Sequence, residues 1–160
     1  MAGGNEAASA RRWALQALTR RMHTTREIRT GLERRGFDRD VIDGVVAGLV
    51  RLKYVDDRQF AEVWISSRSA LRLHGRLRLA RDLKQKGVSE KLIREAMELS
   101  LTVEAELEFA RKAAEKKVRN LRSAGPRARA ALYRHLSSRG FTADVVRAVL
   151  DDIDLEEKLS

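Results

Sequence analysis

Apolar side chains recur at helical spacing along this chain, and they do so three times in the same order. Ile28-x3-Leu32-x3-Gly36-Phe37-Asp38-x3-Ile42, Leu79-x3-Leu83-x3-Gly87-Val88-Ser89-x3-Ile93 and Leu132-x3-Leu136-x3-Gly140-Phe141-Thr142-x3-Val146 share one pattern, with their glycines 51 and 53 residues apart. Two apolar residues four apart make one face of a helix, and a glycine just beyond them suits the left-handed position at which helices end. Asp38, Ser89 or Thr142 then opens the next helix as an N-cap, and its apolar face continues at Val45/Val46, Ala96/Met97 and Val149/Leu150. A further helix precedes each pair, over about residues 8–21, 57–72 and 103–120. Thr24-x-x-Glu27 reads as a capping box and Asp56 or Asp57 ahead of Gln59 as a helix start, while Leu121 to Pro126 reads as a linker. The predicted fold is all-α: nine helices in three tandem three-helix repeats (1–54, 55–101 and 102–160), forming an elongated, curved array.

Composition agrees with this class. Of 160 residues 43% are hydrophobic, enough for a core, and a single proline with only four Phe, two Trp and two Tyr leaves little material for sheets. With no cysteine there is neither a disulfide nor a thiolate nucleophile, which fits a reducing compartment. No uncharged stretch is long enough to span a bilayer, and Met1 to Glu6 lacks the basic and apolar segments of a secretory signal. A cytoplasmic protein, monomeric and without membrane contact, is expected.

Charge changes the picture more. The net charge of +10 calls for an anionic partner, and it is unevenly spread. Residues 11–35, 68–86 and 111–139, around the helix before each glycine, carry +6, +6 and +9, whereas residues 36–67, 87–110 and 140–160 carry −2, −4 and −4. Repeated polarity of this kind places a broken basic stripe along one side, as needed to track a phosphate backbone.

Other motifs carry no chemistry. Helix, glycine turn, helix invites a helix-turn-helix reading, but the helix that would enter the major groove is net acidic in every repeat. Gly31-x4-Gly36 lacks the Lys-Ser/Thr of a phosphate-binding loop. Gly44-x3-Gly48 reads as close helix packing, and Asp56-Asp57 as capping carboxylates rather than a metal pair. His23, His74 and His135 stand apart with no nucleophile or zinc motif nearby, so no catalytic residue, metal or cofactor is assigned.

The segment Lys53-Tyr54-Val55-Asp56-Asp57-Arg58-Gln59-Phe60-Ala61 resembles the Gly-Tyr-(Leu/Ile/Val)-Asp-Asp-x-x-Phe-Ala signature of the RecX family of bacterial recombination regulators. Arg26-Glu27-Ile28, Arg35-Gly36-Phe37, Ser67-Arg68, Gly75-x-x-Arg78-Leu79 and Leu83-x-x-Lys86-Gly87-Val88 match its flanks. The likeness is strong over residues 22–97 and weaker at Ser138-Arg139-Gly140-Phe141; residues 1–10 and 98–127 show nothing distinctive, and Lys53 stands where the family has Gly. It implies three three-helix repeats and a protein that binds the RecA recombinase and its filament on DNA. Such a protein modulates, mostly inhibiting, the ATPase, strand-exchange and coprotease activities in recombination and the SOS response, by occlusion rather than chemistry. The alternative is a general, sequence-independent nucleic-acid-binding helical repeat protein with no RecA role; non-specific binding to single- and double-stranded DNA is expected in either case.

Within either reading the middle repeat should carry the strongest contact. Placing Leu79 and Leu83 inward turns Arg78, Arg81 and Lys84 outward as an unopposed cluster, and Arg68, Arg72, Arg76, Lys86, Arg127 and Arg134 complete the expected basic face. Tyr54, Asp56, Asp57, Phe60, Gly75 and Gly87, the family motif positions, are expected to be mainly structural.

Overall fold

A computed structural model describes residues 2–121 and 125–153. Among them are nine helices and no strand: α1 (Ala2–Arg20), α2 (Thr25–Glu33), α3 (Arg39–Arg51), α4 (Asp57–Arg72), α5 (Arg76–Gln85), α6 (Glu90–Ser100), α7 (Val103–Val118), α8 (Pro126–Ser138) and α9 (Ala143–Asp152). The fold is an all-α tandem helical repeat. α1 starts earlier than the apolar pattern indicates, and Glu6 in that extension accepts a hydrogen bond from the Asp38 amide at 3.1 Å. Of the expected linker, residues 122–124 lie outside the described residues.

Four helices end alike. In each, the residue at the left-handed position donates to the carbonyl three back and its successor to the carbonyl five back: Gly36 to Glu33 and Phe37 to Leu32, Gly87 to Lys84 and Val88 to Leu83, Gly140 to Ser137 and Phe141 to Leu136, and Lys53 to Val50 and Tyr54 to Leu49. These are Schellman turns, which satisfy the last carbonyls of a helix. The glycine-apolar pair of the sequence repeat is therefore the turn itself, with φ of +79°, +85° and +85° at Gly36, Gly87 and Gly140.

Lys53 adopts the same geometry at φ +61°, where a Cβ is strained by about 1–2 kcal/mol. Lys53→Gly should stabilise the chain by roughly 0.5–1 kcal/mol, the relief being partly offset by the greater entropy of an unfolded glycine. Its ion pair with Asp56, 3.8 Å long with the lysine 78% exposed, contributes little to lose. An unchanged or lower urea midpoint would refute the strain.

The chain divides into two compact units, residues 1–61 with 83–93 and residues 62–82 with 94–160, a division that runs through α4, α5 and α6. In the first, α1, α2 and α3 pack together around Ala10, Ala14, Ile28, Leu32, Ile42, Val46, Leu49 and Val55. In the second, α7, α8 and α9 enclose Leu73, Ala110, Ala114, Leu132, Leu136, Phe141, Val146 and Val149. The capping box at Thr24 and Glu27 is present, and Ser89 and Thr142 accept from the amides three residues on. Asp38 occupies its N-cap position without a side-chain cap bond.

One glycine reading changes. A Cβ at Gly44 or Gly48 would meet nothing within 4 Å, so this pair does not serve close helix packing. Gly31 does: a Cβ there would lie 2.1 Å from the Trp13 ring, which covers this stretch of α2.

Candidate functional site

The middle-repeat cations are not unopposed. Asp82 lies one turn after Arg78 and beside Arg81, with a carboxylate oxygen 3.9 Å from each guanidinium. Lys84 reaches across the Gly87 turn to Glu90 at 2.6 Å, a hydrogen bond and charge that hold its ammonium above the usual lysine range. Helical periodicity places side chains on a face but does not show which acids the following turn returns to it.

Other expected contacts are committed inside their own unit. The Arg76 side chain pairs with Glu106 at 2.5 Å, and Lys86 pairs with Glu27 at 2.8 Å with its ammonium 5.9 Å from the centre of the Phe60 ring. Burial alone would raise the Glu27 carboxyl, but hydrogen bonds from Arg21, Lys86 and the Thr24 amide pull it down to about 2. The Arg68 guanidinium stacks 4.3 Å over the Trp64 ring. Arg72, Arg127 and Arg134 are exposed, and the Arg81 side chain keeps 63% of its surface in water. Those four, all in the second compact unit, have their charge turned to solvent.

One device is built twice, the first time from family motif residues. Asp57, at the start of α4, accepts the Thr25 amide of α2 at 2.8 Å, while Asp56 caps α4 through Gln59. Of the two adjacent carboxylates, then, one serves its own helix and the other the helix of the preceding repeat. In the second compact unit Glu106 of α7 accepts the Arg76 amide of α5 at 2.9 Å. Asp57 and Glu106 each stand three residues before a Phe-Ala pair, Phe60-Ala61 and Phe109-Ala110. Glu106 is 1% exposed and was missed in the sequence, although this acid-x-x-Phe-Ala spacing was there to be read.

The same first turns rest on the glycine turn one repeat further along. The Thr24 hydroxyl donates to the Lys86 carbonyl at 2.7 Å and Arg26 lies against Gly87, where a Cβ would be 2.3 Å from its Cδ. Gly75 and Leu77 donate to the carbonyls of Arg139 and Gly140 at 2.8 and 3.0 Å. A Cβ on Gly75 would strike the Phe141 nitrogen at 2.4 Å, which explains that glycine better than any turn. Phe60 is buried as expected. Tyr54 is 57% exposed, so its structural part is the main-chain bond to Leu49 and not side-chain packing.

Arg72 and Arg78 meet four further groups, His74, Lys116, His135 and Arg139, around a cleft of about 420 Å³ in the second unit. In the sequence the two histidines stand 61 positions apart and the other two groups lie at the ends of separate helices, so no spacing brings these four together. Among the described residues no set of three or more acids and histidines is placed to hold a metal, and no helix is long and apolar enough to cross a membrane.

Three family models, described as the first, second and third three-helix domains of RecX, match residues 10–49, 56–97 and 104–150. This chain belongs to the RecX family. Among RecX relatives, the regulatory protein RecX of Chlorobium phaeobacteroides is 37% identical over 140 residues, covering 88% of this chain and 90% of its own. The regulatory protein RecX of Halorhodospira halophila is 35% identical over 148 residues, covering 91% and 88%. That of Bacillus licheniformis is 33% identical over 144 residues, but the match spans only 54% of its length. The crystal structure of RecX from Lactobacillus salivarius has a TM-score of 0.86 at 20% identity, over 95% of this chain and 99% of that one, a likeness of fold. A second RecX crystal structure gives 0.85 at 24% identity, over 94% and 74%.

Proposed function

We propose that this chain is a cytoplasmic regulator of homologous recombination and the SOS response that binds the RecA recombinase and its filament on DNA and mostly inhibits it. The observation that carries this reading is membership of the RecX regulatory family across all three three-helix domains. The exposed cations Arg72, Arg81, Arg127 and Arg134 supply phosphate contacts that position the protein without reading sequence. It acts as a monomer, by obstructing filament turnover; no step of the action is chemical.

Added to preformed RecA filaments at substoichiometric ratio, the protein should slow ATP hydrolysis, because one chain of three repeats obstructs several protomers. Arg81→Glu, Arg127→Glu and Arg134→Glu together should remove most of this effect and flatten the salt dependence of DNA binding by about one unit of log–log slope per contact. The net charge of +10 favours a second reading, a sequence-independent DNA binder with no RecA role. Steep salt-dependent DNA binding with unchanged RecA ATPase at excess protein would establish that second reading and sink the first.

A further inference from the structure

The cleft lined by Arg72, His74, Arg78, Lys116, His135 and Arg139 is built from cations and neutral groups, with no carboxylate among its described lining residues. Clustering of this kind costs free energy unless an anion offsets it. Two of its polar atoms, His74 Nδ1 and Arg78 Nε, are buried and make no hydrogen bond among the described residues; Arg78 Nε faces the Asp82 carboxylate at 3.9 Å, beyond hydrogen-bond distance, so His74 Nδ1 is the atom with no facing partner. Buried polar atoms are normally paired, so their presence beside a solvent-reaching cleft marks a place for a partner from solution.

Arg139 is held in position without being neutralised. Its Nη1 donates to the Arg72 carbonyl at 2.6 Å, and its Nε to His135 Nε2 at 3.1 Å. Accepting that bond makes His135 a neutral imidazole with its proton on Nδ1. The guanidinium is thus positioned by a carbonyl and an imidazole, two uncharged acceptors, with its charge left for a ligand.

We propose that this cleft is a binding pocket for a phosphate group, and that protonation of His74 and His135 tightens it. The inference deepens the reading above and rests on it only for the source of the phosphate. A tetrahedral oxyanion suits the lining: Arg72, Arg78, Arg139 and Lys116 offer charged donors, His74 adds a donor once protonated, and protonating His135 at Nε2 ends its acceptance from Arg139 Nε and releases that N–H to the ligand.

The pH dependence follows from every group that faces the two histidines. His74 is held below the usual imidazole value first by burial, then by Arg78, with Arg139 and Arg68 adding to this and Asp82 opposing it. His135 is lowered first by burial, then by Arg139 and by Lys117. Arg72 and Lys116, from α4 and α7, also line the cleft. Burial and these cations therefore favour the neutral form of both rings at neutral pH. An anion reverses the balance by favouring their charged forms, and by linkage whatever raises their affinity for protons is itself bound more tightly as pH falls.

The test follows the imidazole resonances of the full chain by NMR, adding sulfate, whose charge is constant in this range, against chloride at matched ionic strength. Sulfate should raise the titration midpoints of His74 and His135 where chloride does not, and should bind about tenfold more tightly near pH 5.5 than near pH 7.5. In a His74→Gln, His135→Gln chain that pH dependence should vanish with the circular dichroism unchanged. An oligothymidylate that moves the same two resonances identifies a nucleic-acid backbone as the source, whereas inorganic phosphate doing so alone identifies a free phosphate; either supports the pocket. Midpoints that respond equally to sulfate and chloride overturn it. Salt-steep oligonucleotide binding that leaves both resonances in place overturns the pocket while leaving the proposed function standing.

Discussion

Glu106→Ala should lower the free energy of unfolding by about 3 kcal/mol, measured by urea denaturation. The carboxylate is 1% exposed and both its oxygens are used, one by the Arg76 amide and one by the Arg76 guanidinium. Removing it leaves the first-turn amide of α5 without its acceptor and a guanidinium without its partner. Because the Arg76 side chain is one-third exposed it can turn to water, which keeps the cost at the low end of what breaking a buried pair produces, about 3–5 kcal/mol. Glu106→Gln keeps an acceptor for the amide and loses the charge, so roughly half the effect is expected. Asp57→Ala, at the equivalent but less buried position, removes only the bond to the Thr25 amide and should cost about 1 kcal/mol. Equal, small costs at both positions would mean that these carboxylates are incidental to holding successive repeats together.

Those two carboxylates also show where sequence reading succeeds and stops. The helices were legible because each rests on local information: apolar spacing, a glycine at φ near +80°, a hydroxyl or carboxylate at the next start. α4 was expected at 57–72 and is found at Asp57–Arg72. What joins one repeat to the next was not legible, because Thr24 meets Lys86 and Gly75 meets Arg139 across 62 and 64 positions of chain. Nothing in a spacing rule says that a first turn will lie on a glycine turn that far downstream. The outward face of α5 failed for a different reason: the acids that oppose it are local, Asp82 one turn after Arg78 on the flank of that face and Glu90 just beyond the Gly87 turn, and a rule that sorts side chains into inward and outward leaves such flanking acids out. The cleft of the second unit was not legible because Lys116 and Arg139 join Arg72 and Arg78 from about 40 and 60 positions further along the chain.

Alanine at the three repeat glycines should give three different costs, although their φ values agree within a few degrees. If ending a helix were their only task, each substitution would cost the same, about 1–2 kcal/mol for placing a Cβ in the left-handed region. Gly36→Ala should show that cost alone, since a Cβ there has nothing within 4 Å. At Gly87 the new methyl would meet Arg26, at 2.3 Å from Cδ and 2.5 Å from Cβ. The far end of that side chain can swing away but its Cβ cannot, so a further cost of about 1 kcal/mol is expected. At Gly140 the methyl would lie 2.4 Å from the Arg78 nitrogen and Cβ and 2.9 Å from its Cα. No rotamer change relieves contact with main chain, so α5 must shift off the turn, losing the Leu77–Gly140 and Gly75–Arg139 hydrogen bonds. Gly140→Ala should therefore cost about 4 kcal/mol or more, counting the strain and two unmade main-chain bonds. The ordering Gly140, Gly87, Gly36 in urea midpoints is the quantity to measure. Three equal costs would show that the turns end helices and nothing else, and that the approach of each first turn to the next repeat's glycine adds no stability.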